Sequence, residues 1–146
     1  MGKLIALDYG KKRTGIATTD DLQIIATGLT TVDSKQLFNF LMKHLADNDI
    51  DEIILGFPKR LNNDPTHNTL PVIQLKEKLE KVFPKYKVQL IDERFTSKIA
   101  KQTMLAGGLK KKQRQNKALV DEISATIILQ SFMESRNNNA LPDFNF

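Results

Sequence analysis

The sequence predicts an α/β protein built on a five-stranded mixed sheet with helices on both faces. Two observations predict this class. Three strand-like segments joined by short turns open the chain, and from about residue 34 strand-like and helix-like segments alternate. Short turns favour antiparallel pairing, whereas a helical crossover makes two strands parallel. We therefore expect strands 1 to 3 to form an antiparallel meander and strands 1, 4 and 5 to run parallel.

The five predicted strands are short apolar runs bounded by turn residues. They cover 3–8, 14–20, 23–32, 51–57 and 87–92. The fourth, DEIILGF, is typical of a central strand that is covered on both faces.

The helices are predicted from apolar residues at helical spacing. Ser34 is the expected N-cap of the first helix, and Leu37, Phe38, Leu41 and Leu45 form its apolar side. Further helices are expected at 70–83, at 96–106 and from 118 to about 135. We interpret 1–136 as a single domain and 137–146 as a flexible C-terminal tail.

Composition limits the function classes. The chain has 146 residues, enough for one domain with a real core, and it contains no cysteine. This excludes disulfides and thiolate chemistry and fits a reducing, cytoplasmic compartment. No signal peptide or membrane-spanning run is expected. The net charge of +5 favours a polyanionic partner.

Charged residues are sorted by the predicted topology. The segments after strands 1, 4 and 5 leave one edge of the sheet, where open α/β sheets place ligands. Asp8 and Asp92-Glu93 lie there among basic residues, and Asp33 is also expected there. The opposite edge should carry mainly acids, namely Asp20, Asp21, Asp47, Asp49, Asp51 and Glu52. We expect the basic edge to bind the phosphates of a nucleic acid. Its basic residues are Lys11, Lys12, Arg13, Lys59, Arg60 and Arg94.

A carboxylate at a phosphate-binding edge calls for a cation between the two. Mg²⁺ or Mn²⁺ accepts carboxylate and phosphate oxygens, and two such ions can activate a water and stabilise a leaving oxygen. Asp8 and Glu93 are the first candidate ligands. Asp121 is the third, because an apolar stripe follows it in the last helix. An acid that merely favours the helix N-terminus explains Asp121 equally well at this point.

The motifs LDYGKKRTGIA, DERFTS and VDEISATIIL together resemble the YqgF family from Lys3 to about Ser135. These are small bacterial proteins with a ribonuclease H-like fold. They are described as Holliday junction resolvases and as nucleases that mature the 5′ end of the small-subunit ribosomal RNA precursor. The resemblance implies that Asp8, Glu93 and Asp121 are the acidic metal-binding residues, and it matches Arg13 and Arg94 to motif arginines. The loop GFPKRLNND departs from the family pattern, which commonly has a glycine where Asn63-Asp64-Pro65 stand.

Several alternatives remain open. The actin and sugar-kinase type of ATPase shares the ribonuclease H-like core, but it needs two domains and a second phosphate loop. A non-catalytic nucleic-acid-binding module would keep the fold without cleavage. RNA is the favoured substrate and a ribosome precursor is a candidate partner, while a DNA junction would favour a homodimer over a monomer. The segment GGLKKKQRQNK is expected to be mobile when free and to clamp the nucleic-acid backbone through Lys110, Lys111 and Lys112.

Overall fold

A computed structural model describes residues 2–57, 69–92 and 116–140. The five strands are β1 (Lys3–Tyr9), β2 (Arg13–Thr19), β3 (Ala26–Asp33), β4 (Ile50–Phe57) and β5 (Lys87–Asp92). The α-helices in the described ranges are α1 (Leu37–Asp47), α2 (Thr69–Val82) and α3 (Lys117–Ala140). A single 3-10 turn, Ser34–Gln36, joins β3 to α1.

The strands form one sheet in the order β3-β2-β1-β4-β5. β1 pairs antiparallel with β2, and β2 pairs antiparallel with β3. β4 lies parallel to both β1 and β5. The predicted meander and the predicted parallel strands are both confirmed, so the carboxyl ends of β1, β4 and β5 meet at one edge of the sheet.

Alternation along β1 divides the core into two layers. Ile5 and Leu7 are fully buried on the face covered by α1 and α2. Leu4 and Ala6 are fully buried on the other face, where α3 contributes Ala125, Ile128, Leu129 and Phe132. Asp8 continues the alternation of Leu4 and Ala6. Its side chain therefore lies on the face that α3 covers.

The boundaries of β3 and α1 differ from the prediction. β3 begins at Ala26 and not at residue 23, because the Asp20 carboxylate accepts the backbone N–H groups of Ile24 and Ile25 and folds this segment into a turn. Ser34 is not the helix cap. Asp33 caps the 3-10 turn by accepting from the Lys35 backbone N–H at 2.9 Å. This capping role explains why an acid stands at the otherwise basic edge.

The last helix is longer than predicted, and the predicted helix over 96–106 lies outside the described residues. α3 continues past residue 135 to Ala140. The guanidinium of Arg136 lies 4.5 Å from the centre of the Phe132 ring and pairs with Glu52 of β4, which ties this part of α3 to the sheet. None of the helices in the described ranges is long and apolar enough to cross a membrane.

Candidate functional site

Asp8 lies near the carboxyl end of β1, where the strand leaves the core. Side chains alternate between the two faces along β1, and this alternation places the Asp8 carboxylate on the face that α3 covers. Burial, which disfavours the charged form, and secondarily the negative charge of Asp121 raise the pKa of Asp8 to about 6. Asp121 therefore lies close enough to Asp8 for its charge to disfavour ionisation of the Asp8 carboxyl.

Gly15 allows this approach between strand and helix. It is the β2 residue directly opposite Asp8 in the sheet. A Cβ atom at Gly15 would lie 2.0 Å from the backbone oxygen of Asp121. No side chain fits that space. Because glycine has none, the first turns of α3 can lie against β2 beside Asp8.

The start of α3 is fixed by two further contacts. The Asn116 side chain accepts the backbone N–H groups of Ala118 at 3.1 Å and Leu119 at 3.3 Å, as an N-cap does. The Thr31 hydroxyl of β3 donates to the Ala118 carbonyl at 2.7 Å. An asparagine just before the periodic segment is a helix start signal that is visible in the sequence.

Arg13 is paired with Asp121. Its Nε atom donates to an Asp121 carboxylate oxygen at 3.0 Å, and the two side chains are 38% and 24% exposed. The residue that we expected to hold phosphate therefore contacts one of the acids in the free protein. Asp8, Arg13 and Asp121 form one charged cluster at this edge, which we call the acidic site.

The loop between β1 and β2 presents two lysines next to the acidic site. The Gly10 N–H donates to the Arg13 carbonyl at 3.0 Å, and a Cβ atom at Gly10 would lie 2.7 Å from that carbonyl oxygen. The Ser34 hydroxyl donates to the Gly10 carbonyl at 2.6 Å, and the Ser34 N–H donates to the Lys12 carbonyl at 2.9 Å. Both lysines of this fixed loop, Lys11 and Lys12, are exposed.

Lys35 is a basic residue at this edge that the sequence analysis missed. Asp33 pairs with Arg13 in the sheet, so the turn after β3 lies beside the start of β2. Lys35 belongs to this turn and is exposed. The expected position of Asp33 at this edge was the signal in the sequence that could have placed Lys35 beside Lys11 and Lys12.

The remaining predicted site residues lie outside the described residues. They are Glu93, Lys59, Arg60, Arg94, Lys110, Lys111 and Lys112. Their roles stay predictions. Within residues 2–57, 69–92 and 116–140, no group of three or more His, Cys, Asp or Glu side chains could hold a metal ion. A three-acid metal site at this edge would thus need a ligand such as Glu93 in addition to Asp8 and Asp121.

The opposite edge is less uniformly acidic than expected. Asp20, Asp21 and Asp49 lie in turns at the β1, β2 and β4 side of that edge, and Asp51 lies at the start of β4. Three lysines lie at the junction of α2 and β5: Lys81 in the last turn of α2, Lys85 in the connection and Lys87 at the start of β5. The acids are therefore concentrated on one part of the edge, because the sheet separates β2 from β5 by two intervening strands.

The fold and the acid at the end of β1 define the class of protein, an α/β protein with the ribonuclease H-like fold. A T. thermophilus RuvC in complex with a Holliday junction substrate is similar in structure, with a TM-score of 0.54 and 15% sequence identity, covering 91% of this chain and 96% of that chain. Residues 2–135 match the family model RuvX, described as a Holliday junction resolvase. The chain belongs to the RuvX family.

Relatives with high identity span nearly the whole chain. A protein of Phocaeicola vulgatus is 55% identical over 136 residues, which are 93% of this chain and 98% of that protein. A protein of Bacteroides thetaiotaomicron is 53% identical over 136 residues, with coverage of 93% and 99%. Both carry the name "Putative pre-16S rRNA nuclease". The family is thus one of nucleases, which are hydrolases that act on the ester bonds of nucleic acids.

Proposed function

We propose that this protein is a metal-dependent endonuclease that hydrolyses phosphodiester bonds in the small-subunit ribosomal RNA precursor and matures its 5′ end. The observation that carries the proposal is the acidic site, where the charge of Asp121 acts on Asp8 and the neighbouring loop exposes Lys11 and Lys12. The names of the relatives support RNA as the substrate. Such processing belongs to the cytoplasm of a bacterium, which agrees with a chain that contains no cysteine.

The residues present fit a divalent cation. The charge of Asp121 disfavours ionisation of Asp8, and a cation bound by both carboxylates would offset that repulsion. Hard oxygen donors suit Mg²⁺ or Mn²⁺. Asp8, Asp121 and Glu93 would hold it, with two ions as the expected number. When bound, the metal supplies charge to activate a water and to stabilise the leaving oxygen.

The chain's own residues prepare the site for phosphate. The guanidinium of Arg13 neutralises part of the charge on Asp121 and orients its carboxylate. Lys11 and Lys12 attract the phosphates of a strand that approaches this edge. Asp8 is only partly buried, so it keeps some contact with solvent at this edge. Gly15 sets the separation between the two acids by admitting α3 against β2.

Cleavage of a Holliday junction is the second candidate function, and the family description favours it. A resolvase makes two matched cuts, which ordinarily requires a symmetric dimer. A protein that binds nucleic acid without cutting it is the third possibility. Whether the protein is a monomer or a homodimer does not by itself distinguish RNA cleavage from junction cleavage. Cleavage of each substrate must be measured as well.

One experiment distinguishes these functions. The purified protein is incubated with small-subunit ribosomal RNA precursor and with a four-way DNA junction, each with and without Mg²⁺ or Mn²⁺. We expect metal-dependent cleavage near the mature 5′ end of the RNA. Asp121→Asn should abolish it, whereas Glu122→Gln, which removes a carboxylate from the neighbouring position of the same helix, should leave it largely intact. Cleavage of the junction alone would replace RNA by DNA as the substrate, and no cleavage of either would contradict the nuclease proposal.

A further inference from the structure

The turn between β2 and β3 exposes three aliphatic side chains at the edge opposite the acidic site. Leu22, Ile24 and Ile25 are 66%, 66% and 63% exposed. We call these three residues the apolar tip. Single exposed aliphatic residues are common, but three within four positions form a concentrated apolar surface, which marks interaction sites more often than a solvated loop.

The turn is held rigid by its own hydrogen bonds. One carboxylate oxygen of Asp20 accepts the backbone N–H groups of Ile24 and Ile25, both at 2.8 Å. The Gln23 backbone N–H donates to the Asp20 carbonyl at 3.0 Å. The apolar tip is therefore presented in one conformation, so that a partner would lose little entropy by ordering it.

Gln23 anchors the turn to the body of the protein in a conformation that non-glycine residues seldom adopt. Its φ angle is 56°. Its side-chain amide donates to the Gly2 carbonyl at 2.7 Å and to the Asp51 carboxylate at 3.0 Å, and Arg136 of α3 donates to its side-chain oxygen at 3.3 Å. Such backbone strain persists only where surrounding contacts hold it, and it is often found at functional sites.

Carboxylates surround the apolar tip. Asp20 and Asp21 belong to the same turn, and Asp51 reaches it through Gln23. Asp49 lies beside Gly2, whose carbonyl accepts from Gln23. This charge disfavours a nucleic acid or an anionic membrane as the occupant. It also disfavours an isologous dimer, because the two acidic surfaces would face each other. A basic protein surface is complementary.

We propose that the apolar tip docks the enzyme onto a basic protein that accompanies the RNA substrate. The proposal rests on the proposed function, since it assigns the partner to a ribosomal RNA precursor that carries bound proteins. The apolar side chains enter an apolar depression on that protein, and the surrounding carboxylates face its lysines and arginines. β1 spans about 20 Å between the tip and the acidic site, so the partner and the RNA strand can be bound at once.

The test compares two probes, the protein-free small-subunit precursor RNA and the same RNA with its bound ribosomal proteins. The variant Leu22→Ser/Ile24→Thr/Ile25→Thr removes the apolar tip. We expect it to bind the protein-containing particle about tenfold or more weakly than the wild type in a sedimentation assay, and to bind and cleave the protein-free RNA as the wild type does. The control Met42→Gln/Leu70→Gln changes side chains that are 59% and 61% exposed on α1 and α2, and it should bind both probes normally.

A second variant, Asp21→Lys, tests the charge of the surface. It should weaken binding to the particle and make that binding less sensitive to salt, because an attraction between opposite charges has become a repulsion. Thermal melts of all variants show whether weaker binding reflects a lost contact or a loss of folded protein.

Three outcomes would overturn the docking proposal. The tip variant would bind the particle as tightly as the wild type, or it would lose binding to both probes equally. Alternatively, the wild type would be a dimer that the tip variant dissociates, which would make a second copy the occupant. Sedimentation measures docking without requiring cleavage. Absence of cleavage by the wild type would therefore contradict the proposed function while leaving the docking result readable.

Discussion

At the scale of the residue, Asp8 combines a partly buried carboxylate with a negatively charged neighbour. Burial and the charge of Asp121 raise its pKa from 3.8 to about 6. A carboxyl whose pKa is raised on folding costs stability when it ionises. The cost is absent below pH 3.8, grows between pH 3.8 and about 6, and is complete above. It amounts to at most about 3 kcal/mol, because one pKa unit is about 1.4 kcal/mol.

Asp8→Asn should therefore abolish metal-dependent cleavage and yet stabilise the fold. Asparagine keeps the shape but cannot ionise, so the free energy of unfolding at pH 7 should equal or exceed that of the wild type by up to about 3 kcal/mol, and the difference should vanish near pH 4. RNA binding should persist or tighten, because a negative charge has left the phosphate-binding edge. Denaturant titrations from pH 4 to 8 in chelator, together with a cleavage assay, measure both effects.

The exposed residue Asp21 provides the control. Asp21→Asn should show neither the stability gain nor the loss of cleavage. If Asp8→Asn cleaves RNA at the wild-type rate, the metal-nuclease interpretation is wrong. If it fails to fold, the carboxylate of Asp8 is structural.

At the scale of the element, the packing of α3 on β2 depends on one glycine. Gly15→Ala places a methyl group 2.0 Å from the Asp121 backbone oxygen, so α3 must move away from the strand. We expect a loss of about 1–3 kcal/mol of stability, as for other overpacked sites, and reduced cleavage because Asp121 moves with its helix. Denaturant unfolding and single-turnover cleavage measure the two losses.

Gly28→Ala is the matched control on β3. Its nearest neighbour beneath α3 would be the Thr126 hydroxyl at 3.3 Å, which belongs to a side chain that can adjust. This change should alter stability by less than about 1 kcal/mol and leave cleavage unchanged. Equal effects of the two substitutions would show that the close approach at Gly15 does not set the position of Asp121.

At the scale of the whole molecule, binding should depend on where positive charge lies and not only on the net charge of +5. Replacing Lys110, Lys111 and Lys112 by alanine should weaken nucleic-acid binding and reduce its salt dependence by up to about three phosphate equivalents. Replacing Lys81, Lys85 and Lys87, at the junction of α2 and β5, removes the same charge and should change the salt dependence little. Binding isotherms from 50 to 200 mM salt are the appropriate measurement. Identical slopes for both triple variants would show that only net charge matters.

The directions of the strands could be predicted from the sequence, whereas the position of β4 between β1 and β5 came from the structure. Short turns and helical crossovers are local features, and they determine which strands run parallel. Because the carboxyl ends of parallel strands share an edge, the position of Asp8 near the end of β1 was predictable as well. The alternation of side chains along the first strand likewise assigns its residues to the two core layers, with Ile5 and Leu7 on one face and Leu4 and Ala6 on the other.

Only the tertiary structure decided how distant residues meet. The sequence explained Asp121 equally well as an acid that favours the helix N-terminus and as a metal ligand. Its approach to Asp8 depends on the space left by Gly15 on another element. The pairing of Arg13 with Asp121 depends on the same packing. The Ser34 hydroxyl bonds to the Gly10 carbonyl, and Asp33 caps the turn in its place. Sequence patterns indicate the helical or strand periodicity of each element and the positions of turns. These contacts depend instead on the distance at which two elements pack.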